Sequence, residues 1–260
     1  MPHLLNVWPS VHRRIAGATH LLLLSDYDGT LAPIAARPDL AVLPHRTRLA
    51  LHTINQASGV SVGVVSGRSL ADVSSMVGLP GLIYAGNHGL EIQGNGLDFI
   101  HPGAEALKPQ LDNILRELGE RVAGIEGALV EGKGLTLSVH FRLTAEDQKP
   151  RVHAEFEEAT RAWLQAGEVR VTAGKEVLEV RPNIPWDKGK AIARIASECP
   201  HEALVMYLGD DLTDEDGFAV VNDLNGLSVF VGPARQPTRA LYRVDSPSEV
   251  ATTLDLIAAI

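Results

Sequence analysis

Cysteine is nearly missing from this chain: Cys199 is the only one in 260 residues. An internal disulfide is therefore impossible, a cysteine-based zinc cluster cannot be assembled, and a reducing compartment, the cytoplasm, is expected. Long apolar runs are missing too. Nothing approaches the roughly 18 consecutive apolar residues of a membrane span, and the leucines at 21–24 are too few even for the core of a signal peptide. Positive charge is in short supply, with 23 Lys and Arg against 32 Asp and Glu and a net charge of −9. That balance does not suit nucleic acid as the main partner, although a local basic group can still take a small anion. Internal repeats and low-complexity tracts are absent as well. What is present, 45% hydrophobic and 21% charged residues, is ordinary for a chain that folds into a globule. The length permits one large domain or two modest ones, and a domain carrying an inserted subdomain fits best.

Periodicity divides the chain into three stretches. Weak helical spacing over 1–20 leads to an apolar strand at 21–24, closed by Asp28-Gly29. Next come a predicted helix over 46–56, a strand over 60–65, a helix over 69–77 and a short strand over 82–85. Glycines over 86–96 suit turns around a hairpin that ends at 97–100. The pattern then changes to a long helix over 104–122, paired strands over 128–131 and 135–141, a helix over 146–164, and a second hairpin over 168–172 and 176–180. From Asp187 the first rhythm returns, with helices over 188–196, 213–220 and 246–258 and strands over 204–208 and 226–231. The expected fold class is α/β: a core of residues 1–102 and 184–260 built on a parallel sheet, with residues 103–183 inserted as an α/β cap. Such sheets bind ligands at the carboxyl ends of their strands, which is where the acidic and hydroxyl motifs fall.

Four motifs carry chemistry. Asp26 and Asp28 stand two apart at a strand end, a spacing that projects both side chains to the same side. One carboxylate of such a pair can attack phosphorus while the other gives and later takes a proton. A plain Asp-Gly turn is the competing reading. Ser66-Gly67-Arg68 follows the strand at 62–65 and offers a hydroxyl and backbone amides to phosphate oxygens, unless Ser66 or Ser69 merely caps the next helix. Lys188 lies in the first turn of a helix, where the dipole disfavours a cation and a nearby anion would remove the conflict; otherwise it is a solvated surface lysine. Asp210, Asp211, Asp214, Glu215 and Asp216 crowd a strand end and a helix start. Oxygen ligands without His or Cys suit Mg²⁺, although the last three acids could simply favour the positive helix start.

In this order the four motifs resemble those of the haloacid dehalogenase superfamily, and the second aspartate of the first motif resembles its phosphatase and phosphomutase branches. Further runs resemble the trehalose-6-phosphate phosphatase family: Leu24-Ser25-Asp26-Tyr27-Asp28-Gly29-Thr30-Leu31, Val65-Ser66-Gly67-Arg68, Gly86-Asn87-His88-Gly89 with Glu91, and Gly209-Asp210-Asp211-Leu212-Thr213-Asp214-Glu215. Glu131-x-Lys133, His140-Phe141-Arg142, Gly174-Lys175 and Glu179-Val180-Arg181-Pro182 add to the likeness from the expected cap. The resemblance implies a Rossmann-like core with a cap that reads substrate, and hydrolysis of trehalose 6-phosphate through an aspartyl-phosphate with Mg²⁺. It implies Asp26 as nucleophile and metal ligand, and Asp28 as acid and base that lends its main-chain carbonyl to the metal. Asp210 would be a metal ligand, with Asp211 and Asp214 completing the shell or holding its waters. Ser66, Gly67, Arg68 and Lys188 would hold the phosphoryl group. Asn87, His88, Lys133, His140, Arg142, Lys175 and Glu179 are candidates for sugar hydroxyls, each with an ordinary alternative as a surface charge, a structural histidine or, for Glu179, a partner of Arg181. A trehalose-6-phosphate synthase is the implied functional partner. The rivals are a phosphatase for glucosylglycerol phosphate, mannosylglycerate phosphate or sucrose 6-phosphate, and a catalytically silent sugar-phosphate-binding module.

Overall fold

In the computed structural model, which describes residues 1–233 and 237–260, the chain divides into a first unit of Met1–Phe99 with Trp186–Ile260 and a second of Ile100–Pro185. The first unit opens with α1 (Trp8–Ala16), β1 (Leu21–Ser25), α2 (His45–Asn55), β2 (Val60–Val65), α3 (Leu70–Val77), β3 (Ile83–Gly86) and a hairpin of β4 (Glu91–Gly94) and β5 (Leu97–Ile100). The second holds α4 (Pro102–Ala106), α5 (Lys108–Val122), β6 (Leu129–Gly132), β7 (Leu137–His140), α6 (Lys149–Gln165), β8 (Val169–Gly174) and β9 (Val177–Pro182). The chain then completes the first unit with α7 (Lys188–Ser197), β10 (Leu204–Gly209), α8 (Glu215–Asp223), β11 (Leu227–Val231), β12 (Tyr242–Val244) and α9 (Pro247–Ala258).

The sheet of the first unit runs β12-β11-β10-β1-β2-β3-β4-β5, parallel from β12 to β3 and antiparallel at the β3–β4 pair. From β1 the chain travels outward through β2 and β3; from β10 it travels the other way. The order therefore reverses between β1 and β10, and a crevice opens at their carboxyl ends. Buried on both faces, β1 needs no polar alternation. Leu21 and Leu23 pack with Val11, Leu51, Val73 and Leu254 of α1, α2, α3 and α9, whereas Leu22 and Leu24 pack with Ile192, Ile195, Phe218 and Val221 of α7 and α8. Cutting any one of these leucines to alanine is expected to cost about 2–5 kcal/mol.

The second unit is an antiparallel sheet, β6-β7-β9-β8, with α5 and α6 on one face. Leu137, Val139, Leu178 and Val180 point to Leu111, Ile114, Leu118 and Phe156 on those helices. The period of two sends the intervening residues to the other face, where Glu131, Ser138, Glu179 and Thr172 stand side by side across the four strands.

Several elements differ from expectation for local reasons. The helix expected over 104–122 breaks at Leu107 (φ −91°, ψ 0°), because Pro109 lacks an N–H and crowds the preceding turn. Pro150 likewise delays α6 to Lys149. The helix expected at 213 begins as a 3₁₀ turn, Leu212–Asp214, and becomes α8 only at Glu215. The three-residue β12 is too short to leave a periodic signal.

Candidate active site

Asp26 follows β1 directly, and its N–H donates to the carbonyl of Leu208 (2.8 Å), so the ladder with β10 carries it to the crevice. Beyond it the chain coils tightly, with the N–H groups of Thr30, Leu31 and Ala32 all directed to the carbonyl of Tyr27. Gly29 makes the turn possible: its φ is +86°, and a Cβ there would lie 2.2 Å from Asp210 Oδ2. The period-two argument for Asp26 and Asp28 consequently stops at the strand end, and the two carboxylates have different partners. Asp28 is gripped by the Arg68 guanidinium through Nε to Oδ2 (2.6 Å) and Nη2 to Oδ1 (2.7 Å), with Arg68 seated 5.4 Å from the centre of the Tyr27 ring.

Lys188 opens α7, which is capped by Asp187 accepting the Lys190 N–H (2.9 Å). Only 3% exposed, it is no solvated lysine: Nζ donates to Asp26 Oδ1 (2.7 Å) and to Asp214 Oδ1 (2.6 Å), and these anions offset the unfavourable helix dipole. Asp214 is fully buried and filled with donors. The Tyr207 hydroxyl (2.5 Å) joins Lys188 on Oδ1, while the N–H groups of Asp210 (2.9 Å) and Asp211 (3.0 Å) reach Oδ2. It is thus a scaffold for the strand end rather than an ornament of the helix start. Asp210 accepts the Thr30 hydroxyl at 3.2 Å. Asp26, Asp210 and Asp214 each bring a carboxylate oxygen within 4.8 Å of the other two. Asp211 does not join them; its carboxylate caps the 3₁₀ turn by accepting the Leu212 N–H (2.7 Å).

Three carboxylates and one ammonium leave a surplus of buried negative charge. Burial, joined by the charges of Asp214 and Asp210, drives Asp26 well above the ordinary carboxylate range despite Lys188. Burial and then Asp214 push Asp210 up to about 7. Lys188 goes the other way from what burial alone would dictate, because Asp214 and Asp26 hold its proton. An oxygen-only donor set with excess negative charge, closed around a glycine where no side chain fits, suits a small hard cation.

Ser66 ends β2 in a braced loop. Its N–H donates to the Ala85 carbonyl (2.8 Å), its carbonyl accepts the His88 N–H (2.8 Å), and the Arg68 carbonyl accepts the Asn87 N–H (2.7 Å). Ser69, not Ser66, caps α3 through the Asp72 N–H (3.1 Å), so capping does not account for Ser66. Asn87 and His88 both hold left-handed backbone, φ 49° and 58°, a conformation that costs energy in non-glycine residues. Asn87 also donates its side-chain amide to Glu91 (2.6 Å). The imidazole of His88 lies over Gly67, where a Cβ would come within 2.8 Å of it.

Within the second unit, the polar face holds Lys133 against Glu179 (3.1 Å), with the hydroxyls of Thr136 and Thr172 each 3.4 Å from the same carboxylate. Lys133 is therefore an ion partner of Glu179. His140 pairs with Glu131 (2.7 Å). Arg142 and Lys175 are exposed, and the Arg142 guanidinium donates to the Lys175 carbonyl (3.1 Å). Sequence reasoning passed over Tyr207 and Thr30. A phenol inside an otherwise apolar buried strand was the available signal, since a buried Tyr hydroxyl needs a partner.

This fold is that of the haloacid dehalogenase-like hydrolases: one such hydrolase from Bacteroides thetaiotaomicron superposes with a TM-score of 0.62 at 17% identity, covering 92% of this chain and 99% of that one. A family model described as trehalose-phosphatase matches residues 24–248, and the chain belongs to that family. The trehalose-phosphate phosphatase of Mycobacterium tuberculosis is 39% identical over 90% of this chain and 60% of its own length. A probable trehalose-phosphate phosphatase of rice, Oryza sativa subsp. japonica, is 36% identical over 88% of this chain and 64% of its own. The chain thus spans less than two thirds of these curated relatives. The C-terminal domain of trehalose-6-phosphate phosphatase from C. albicans superposes with a TM-score of 0.81 at 25% identity, covering 100% of this chain and 98% of that one.

Proposed function

We propose that this chain is a phosphatase that hydrolyses trehalose 6-phosphate to trehalose and phosphate. The observation that carries the reading is the buried Lys188 ammonium bonded to both Asp26 and Asp214 beside Asp210. Asp26 attacks phosphorus, the bond from phosphorus to the sugar oxygen breaks, and Asp28 gives that oxygen a proton. Asp28 then takes a proton from water, whose oxygen attacks the aspartyl-phosphate and frees Asp26. Both carboxylate oxygens of Asp28 lie in the grip of Arg68, so Arg68 sets where the acid stands and has to yield as the proton moves. Lys188 restrains Asp26, and Ser66 with the Gly67 amide cradles the phosphoryl oxygens, whose charge must be held in place, while the Arg68 N–H braces the Ser66 hydroxyl oxygen (3.2 Å).

Mg²⁺ is the cofactor of this reading. Asp26, Asp210 and the main-chain carbonyl of Asp28 would hold it, with Asp214 orienting them from behind and Asp211 left to its cap. When bound it supplies positive charge to the transferring phosphoryl group. On the polar face of the second unit, Lys133 and Glu179 are the groups that this reading assigns to glucosyl hydroxyls. A cytoplasmic location and a trehalose-6-phosphate synthase supplying the substrate complete the proposal.

Purified protein with Mg²⁺ is expected to release phosphate faster from trehalose 6-phosphate than from sucrose 6-phosphate, glucosylglycerol phosphate or mannosylglycerate phosphate. Release from one of those with none from trehalose 6-phosphate would overturn the substrate. Binding without turnover of any of the four would leave a silent binding module.

A further inference from the structure

Trp186 has no task in the mechanism above, yet it sits at a junction. The chain leaves the first unit at Phe99 and returns to it at Trp186, and these two rings stack at 5.4 Å with 31° between their planes. Arg194 covers Phe99 at 4.3 Å. The indole N–H of Trp186 donates to the Gly89 carbonyl at 2.9 Å. Gly89 itself is pressed against α7: with φ at +86°, a Cβ there would lie 2.1 Å from Ala191 Cβ.

That one hydrogen bond joins two short segments that matter to the phosphoryl group. Two residues beyond Trp186 is Lys188. Immediately before Gly89 are Asn87 and His88, whose N–H groups hold the carbonyls of Arg68 and Ser66. The connection runs from the serine loop to Lys188, whose ammonium holds Asp26 and Asp214 in turn. We propose that Trp186 is a positioning residue whose indole N–H sets the spacing between Lys188 and the Ser66–Arg68 loop, so that ammonium, hydroxyl and amide meet one phosphoryl group together. The inference rests on the phosphatase reading.

Two substitutions separate positioning from simple anchorage. Trp186→Phe keeps an aromatic ring against Phe99 and removes the donor; Phe99→Leu removes the stack and keeps the donor. Each is made in the full chain and read by steady-state kinetics, by calorimetric binding of inorganic phosphate with Mg²⁺ present, by Mg²⁺ half-saturation and by thermal melting. Trp186→Phe is expected to lower kcat roughly tenfold or more and to weaken phosphate binding about fivefold, with a smaller change in Mg²⁺ half-saturation. Phe99→Leu is expected to lower the melting temperature with kcat and phosphate binding held within about twofold. Unchanged kcat and phosphate binding in Trp186→Phe, or equal losses in both variants in step with stability, would overturn the inference. Should Trp186→Phe fail to fold, Trp186→Leu is read by the same signals. A wild-type chain that binds phosphate but turns over no ester removes the phosphatase reading, and the binding arm alone then decides the role of Trp186. A wild-type chain that binds no phosphate overturns both.

Discussion

Charged side chains are secured differently in the two units. At the carboxyl ends of β1 and β10, Asp214 takes two backbone N–H groups, a phenol and an ammonium, and Asp26 is carried by a strand whose ladder continues through its own N–H. On the polar face of the second unit, the bonds described for Glu179 come from side chains alone: Lys133, Thr136 and Thr172. A group tied to backbone keeps its position to a fraction of an ångström, as bond making at phosphorus demands. Groups tied to other side chains can exchange partners with the hydroxyls of a ligand, as sugar recognition demands. The difference predicts that damage to the first unit appears in turnover and damage to the second in substrate choice.

The largest expected effect tests the first half of that statement. Asp26→Asn should lower turnover by at least about 1,000-fold. Its thermal stability should not fall, because one carboxylate leaves a cluster with surplus negative charge. A loss of only a few fold would show that Asp26 is not the nucleophile. Lys188→Met comes next: stripping two buried carboxylates of their cation should destabilise the chain by roughly 3–5 kcal/mol in urea at neutral pH. Lys133→Met should cost less, since Glu179 keeps its two hydroxyl neighbours. Equal costs would erase the contrast between the units.

A smaller effect is set by pH. Asp210 is pushed up to about 7 from an ordinary 3.8, so between those values the folded chain holds a proton that the unfolded chain has lost. Its contribution to stability is complete below about 4 and disappears as pH rises through about 7. In chelator, the urea midpoint should fall between pH 5 and pH 8, and Mg²⁺ should restore it at pH 8. A flat profile in chelator would show that the cluster carries no surplus charge. The mildest change concerns substrate choice. Glu179→Gln should raise KM for trehalose 6-phosphate about tenfold and leave hydrolysis of p-nitrophenyl phosphate nearly unchanged; an equal effect on both esters would remove the second unit from sugar recognition.

The strand–helix rhythm of the first unit was legible because β1, β2 and β10 are buried on both faces and read as mainly apolar runs, interrupted by Ser61 and the Tyr207 phenol, that end in acids or a hydroxyl. Lys188 and Asp26 were legible as motif residues, but their contact spans 162 positions and only the fold could bring them together. The Asp28–Arg68 grip was hidden for the same reason, and because strand alternation was extended one turn too far. Asp214 was legible as a metal-shell candidate by resemblance, with a helix-start acid as the competing reading; its burial follows from the 3₁₀ turn that folds it back under β10. Proline chemistry explained the broken helices afterwards and was available beforehand, since Pro109 and Pro150 stand in plain view.

Four successive leucines have one further consequence. Slipping β1 along its neighbours by a single residue would trade leucine for leucine on both faces, so the hydrophobic effect barely opposes it. The strand has to be pinned at its ends instead, by Leu21 N–H on the Gly59 carbonyl and Asp26 N–H on the Leu208 carbonyl. Burying the Asp26 carboxylate anywhere but beside Lys188 would leave a charge unpaired. The reacting acid therefore acts as an alignment mark during folding, and a chain that misplaced it would lose its thread before it lost its chemistry.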